Sequence, residues 1–113
     1  MKFLVLLIVA IAAPATVLAH STIGATVPAD NTALVNAPEQ LEFTFAKKIR
    51  LTRVTVTDAD GDLVDVDLSD HKVFDTMFAF PVALEGTGAF KVEWRGLSAD
   101  GHIMNGSFHF SVK

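Results

Sequence analysis

Four stretches of this chain alternate apolar and polar residues with a period of two. Leu41, Phe43 and Phe45 alternate with Glu42 and Thr44, and Val54 and Val56 alternate with Arg53, Thr55 and Thr57. Phe90, Val92 and Trp94 alternate with Lys91, Glu93 and Arg95, while Phe108, Phe110 and Val112 alternate with Ser107, His109 and Ser111. Successive side chains of a strand point to opposite faces, so each set predicts a strand with one buried and one wet face. Turn chemistry separates the sets. Pro28-Ala29-Asp30-Asn31 and Asn36-Ala37-Pro38 break the early chain, and Asp58-Ala59-Asp60-Gly61-Asp62 joins two β-branched runs as a hairpin. Glu85-Gly86-Thr87-Gly88 precedes the Phe90 strand, and Ser98 to Gly101 precede the last one. No long stretch carries the 3.6-residue period of a helix, and no repeat, low-complexity tract or linker intervenes. The expected fold class is all-β: an antiparallel β-sandwich or small barrel in one domain.

The first residues depart from this pattern. Lys2 supplies a minimal positive charge, Phe3 to Ala13 form an unbroken apolar run, Pro14 ends it, and Val17-Leu18-Ala19 has the small-residue pattern of a cleavage site. Residues 1–19 therefore read as a secretory signal peptide, and residues 20–113 as the exported domain. The rival reading is an uncleaved membrane anchor. The run from Phe3 to Ala19 is at the short limit for a bilayer span and contains Pro14, which favours cleavage.

Composition narrows the chemistry. The chain has no cysteine, which in an exported protein excludes a disulfide scaffold and any thiolate metal site. Its formal charge of −4 becomes one unit more negative when Lys2 is removed, which argues against nucleic acid as a partner. Any metal must be held by His, carboxylate, amine or Met.

Cleavage after Ala19 makes His20 the first residue, so its α-amine and imidazole Nδ1 can close one chelate ring. Asp100-Gly101-His102 places an oxygen and a nitrogen donor two residues apart, with Gly101 allowing a tight bend between them. Three nitrogens and one oxygen suit a square-planar or tetragonal ion, and Cu(II) is the favoured candidate. The bland reading of Asp100-Gly101-His102 is a turn in which Asp100 accepts backbone hydrogen bonds. His109 falls on the strand face opposite Phe108 and Phe110, as a surface histidine or a group behind the site. His71 reads as a polar loop residue, and Met77 and Met104 as packing residues rather than a Cu(I) thioether site. The Asp58–Asp62 run departs from a calcium-binding EF-hand loop. Leu63 and Ser69 stand where an EF-hand needs Gly and Glu, so a solvated acidic hairpin is expected.

These residues together resemble the CopC family of periplasmic copper-resistance proteins. The resemblance runs from His20 and Val27-Pro28-Ala29-Asp30, through Ala37-Pro38-Glu39 and Leu41-Glu42-Phe43-Thr44-Phe45, to Val92-Glu93-Trp94-Arg95. It is also specific at Ser98-Ala99-Asp100-Gly101-His102 and Gly106-Ser107-Phe108-His109-Phe110. It implies a Greek-key β-barrel or cupredoxin-like, Ig-like sandwich that binds Cu(II) through His20, Asp100 and His102 and does no chemistry of its own. It also implies copper handling beside an inner-membrane permease of the CopD type, by a monomer or a weak copper-dependent dimer. Two departures matter. The region from Asp65 to Met77, methionine-rich in some members, holds one Met, which points to a Cu(II)-only form. Lys47 stands where some members place a Glu near the metal, and a cation cannot serve as that axial donor.

Two other functions compete with a copper carrier. A histidine-brace oxidative enzyme, as in polysaccharide monooxygenases, also uses an N-terminal His on a β-sandwich. Asp100 would fill a position that oxygen activation needs open, and the small domain offers little flat aromatic surface. A non-metal adhesion or structural module would bind no stoichiometric copper.

Overall fold

The computed structural model describes residues 23–113. The expected export signal, its cleavage site and His20 lie outside the described residues. Among the described residues seven strands form: β1 (Ile23–Val27), β2 (Thr32–Leu34), β3 (Gln40–Thr57), β4 (Leu63–Asp65), β5 (Asp75–Pro81), β6 (Gly88–Ser98) and β7 (Ile103–Val112). No helix forms among the described residues, so the all-β expectation holds.

The two alternating runs at 41–45 and 53–57 are one strand of 18 residues, not two. Residues 40–45 of β3 pair with β1 and β5, residues 50–57 pair with β6 and β4, and Ile49 between them pairs with both β5 and β6. Register shifts between Thr44 and Ile49 and between Leu51 and Arg53 let this strand pass from one half of the sheet to the other. An extra residue in one strand bends it and increases its twist, which is how a long strand can serve both faces of a curled sheet. The remaining path runs β3–β6–β7–β2.

Every pairing is antiparallel except one: β2 runs parallel to β7, with Thr32 opposite Phe110 and Leu34 opposite Val112. The turn ahead of β2 explains this. Asp30 Oδ1 accepts the His109 amide at 2.8 Å, and the Asn31 amide donates to the His109 carbonyl at 2.7 Å. These bonds pin the start of β2 beside the middle of β7. The short strand then follows the same direction, and Lys113 N–H closes on the Leu34 carbonyl at 2.9 Å.

The curl brings the apolar faces of the two halves together. Phe43 and Phe45 on the first half meet Phe108 and Trp94 on the second, with ring centroids 5.7 and 5.1 Å apart, both edge-on. Phe78 and Phe80 extend the layer from β5, stacked at 6.1 Å. All four sets of alternating apolar residues lie in this core, and the only buried polar residue among those described is Thr55. Its hydroxyl donates to Asp65 at 3.0 Å, which removes the cost of burying it.

Gly106 lies opposite Trp94 across β6 and β7. A methyl group there would come within 2.7–2.8 Å of three atoms of the indole. Trp94 is buried and packed on Phe45, so it has little room to retreat. Gly106→Ala is expected to destabilise the domain by about 1–3 kcal/mol through overpacking. A thermal melt checks this, and an unchanged midpoint would show that the ring moves freely.

Candidate metal centre

The turn from β6 to β7 carries the Asp-Gly-His sequence, and backbone bonds close it tightly. Ser98 N–H donates to the His102 carbonyl at 2.9 Å, and Gly101 N–H donates to the Ser98 carbonyl at 3.0 Å. Gly101 has φ of 86°, in the left-handed region that a side chain would oppose. This bend folds Asp100 back toward His102, and Asp100 Oδ2 lies 2.8 Å from His102 Nδ1. An ionised carboxylate only accepts hydrogen bonds, so Nδ1 carries the shared proton.

That separation has a use beyond the hydrogen bond. Two donors at right angles, each about 2 Å from one ion, are themselves about 2.8 Å apart. A metal replacing the shared proton would need little movement of either side chain. The carboxyl is also held ionised. The Ser98 hydroxyl, then the His102 ring and amide, lower the Asp100 pKa from 3.8 to about 2. Both side chains are largely in solvent, at 65% exposure for Asp100 and 80% for His102. The pair is therefore accessible to an arriving ion.

Strand register brings the start of the described chain to this end. Ile23 pairs with Phe45, and Ile49, four residues further along β3, pairs with both Ser98 and Asp75. Lys47 is exposed on β3 between these two positions. The other histidines lie elsewhere. His109 is seven residues along β7 from His102, roughly 24 Å for an extended strand, and its Nδ1 is 3.8 Å from Asp30. That distance removes the alternative in which His109 stands behind the site. His71 does more than occupy a polar loop: its ring packs edge-on against Phe80 at 4.6 Å, toward the far end of β5 from Asp75. Met104 is partly buried against the core, as expected of a packing residue, but Met77 is 68% exposed. It sits on the outer face of β5 because its neighbour Phe78 takes the inner one.

Among the described residues, three carboxylates also converge at Asp58, Asp60 and Asp62, with donor atoms within 4.8 Å of one another. Asp58 Oδ1 is occupied there, accepting the amides of Asp60 and Asp62 at 2.9 Å each. This is the turn chemistry of an acidic hairpin between β3 and β4.

The CopC domain matches residues 23–113, all of the described residues. The chain belongs to the CopC domain family. A Bacillus subtilis (strain 168) protein named copper transport protein CutJ is 30% identical over 115 residues, covering 97% of this chain and 21% of that relative. This CopC domain thus spans about a fifth of the length of that relative. Among solved structures, CopC from Methylosinus trichosporium OB3b superposes with a TM-score of 0.68 at 22% identity, covering 83% of this chain and 94% of that one. PcoC, a copper resistance protein from Escherichia coli, gives a TM-score of 0.55 at 25% identity, covering 80% and 98%. The curled β-sheet is therefore the CopC fold.

Proposed function

We propose that this domain is an exported Cu(II) carrier or buffer serving copper resistance or homeostasis. It takes up the ion at His20, Asp100 and His102 and does no chemistry on it. The observation that carries this reading is the Asp100–His102 pair, pre-folded at 2.8 Å and open to solvent beside the end where β1 begins. His20 would complete the set. It precedes Ile23 by three residues, a reach of about 10 Å for extended chain. One carboxylate and nitrogen donors suit Cu(II), which also heads the divalent affinity order for such ligands. The relatives named for copper transport and copper resistance support copper as the cargo. In CutJ the matching region is one part of a much longer copper transport protein. This supports delivery to, or receipt from, a membrane permease of the CopD type, with the domain itself in the periplasm.

The test is copper titration of the processed protein across pH. One equivalent is expected at pH 7. Binding must displace protons from the α-amine and both imidazoles, so retention should fall steeply below about pH 6, the region where ordinary histidines charge. Asp100 adds nothing to that loss. With its pKa lowered to about 2, it stays ionised from pH 7 to pH 4, and any stability it contributes is lost only as pH falls from 3.8 toward 2. Copper retained unchanged at pH 4 would rule out this ligand set.

A further inference from the structure

We infer that Ser98 is a positioning residue for metal capture: its hydroxyl holds Asp100 and His102 turned toward each other before the ion arrives. The inference rests on the proposed Cu(II) site and names what organises it.

The decisive fact is that packing does not hold the donor pair. With both side chains mostly in solvent, rotation of Asp100 about its own bonds would carry the carboxylate away from the ring. Hydrogen bonds must set the geometry, and they converge on one atom. Ser98 Oγ donates its single proton to Asp100 Oδ1 and accepts the His102 amide at 3.1 Å. Asp100 Oδ1 also lies 3.4 Å from that amide. The two carboxylate oxygens are therefore divided. Oδ1 faces the hydroxyl and the turn, which leaves Oδ2 for the His102 ring at 2.8 Å.

Ser98 is suited to this because it is the last residue of β6. Its backbone is anchored by pairing with Ile49, and its amide is bonded to the His102 carbonyl. The hydroxyl thus starts from a fixed point on the sheet, while Asp100 sits in the turn beyond it. A group that orients a metal ligand through a hydrogen bond typically contributes 10- to 100-fold in metal affinity.

The rival account is that Ser98 merely closes the turn. Ser98→Ala and Ser98→Thr, compared with the unaltered protein, separate the two. In the metal-free proteins, nitrogen NMR of the His102 ring reports which nitrogen carries the proton, and a thermal melt reports folding. Competition against a chelator of known copper affinity then gives Cu(II) binding. Ser98→Ala is expected to melt close to the unaltered protein, to lose the excess of protonated Nδ1, and to bind Cu(II) about 10- to 100-fold more weakly. Ser98→Thr, which keeps the hydroxyl, should restore both. Unchanged ring protonation and affinity in Ser98→Ala would overturn the inference. So would a loss of affinity that Ser98→Thr fails to restore. If the unaltered protein takes up no copper, the proposed function falls, while the metal-free ring measurement still decides whether Ser98 orients the pair.

Discussion

One residue added ahead of His20 is expected to weaken Cu(II) binding by about 100-fold or more. The α-amine and the ring of a first-position histidine belong to one residue, so once either binds, the other is held beside the ion. Joining two donors in this way raises overall affinity by about 10²–10⁴-fold without any new contact. An added residue converts the amine into an amide, which does not bind metal as a neutral group, and that gain disappears. The measurement is a copper titration of two versions, one starting at His20 and one carrying a single preceding residue. Paramagnetic resonance should show one nitrogen fewer in the extended form. Equal affinity in the two versions would remove the His20 amine from the site, leaving only the His20 ring, Asp100 and His102 as donors, without the chelate ring that the proposed affinity relies on.

Phe43→Ala is expected to have the largest effect on folding. Phe43 is 1% exposed and stands where the two halves of the curled sheet meet. Its ring lies 5.7 Å from Phe108 on β7, 6.0 Å from Phe80 on β5 and 6.1 Å from Phe45 on its own strand. Truncation removes all three contacts and leaves a cavity that strands anchored on both sides cannot easily close. Phe→Ala changes of this kind cost about 3–5 kcal/mol. A domain of this size has a total stability of about 5–15 kcal/mol, so the loss takes a large share of it. The melting midpoint should fall by about 15–30 °C. A fall under about 5 °C would mean that the sheet halves are not held together at this point. The metal turn should show the effect indirectly. Ile49, which pairs with Ser98, is on the same strand as Phe43.

The core was legible because its signal is local. Period-two alternation reports which face of a strand is buried, and the alternating residues from Leu41 to Phe45, Phe90 to Trp94 and Phe108 to Val112 are the ones that became buried. Phe78 and Phe80 carry the same signal in β5, flanked by Met77, Ala79 and Pro81. Local pattern could not show that residues 41–45 and 53–57 are one strand. The polar interruption at Lys47 and Lys48 looks like a loop, and only pairing to different partners on either side reveals a strand crossing between two halves. The three-residue strands β2 and β4 have too few residues for any periodicity. β2 exists because the Asp30 and Asn31 bonds to His109 place it, and those bonds span some 79 residues of sequence.

For the candidate site the division is similar. The proposed donors His20, Asp100 and His102, the absence of thiols and the proposed preference for Cu(II) rest on residue types and short spacings, which the chain alone supplies. Its short motifs also sufficed for the family resemblance, and alternation for the all-β class. Tertiary structure decided what depends on contacts distant in sequence or on the direction of a side chain. It excluded His109, set His71 on Phe80, and turned Met77 outward. It also placed the Asp100–His102 turn next to Ile49, four residues along β3 from the point where β1 begins to pair. Ser98 belongs to this second group. Its letter in the sequence marks only a turn, and its hydrogen bonds to Asp100 and His102 exist because the fold brings one oxygen between them.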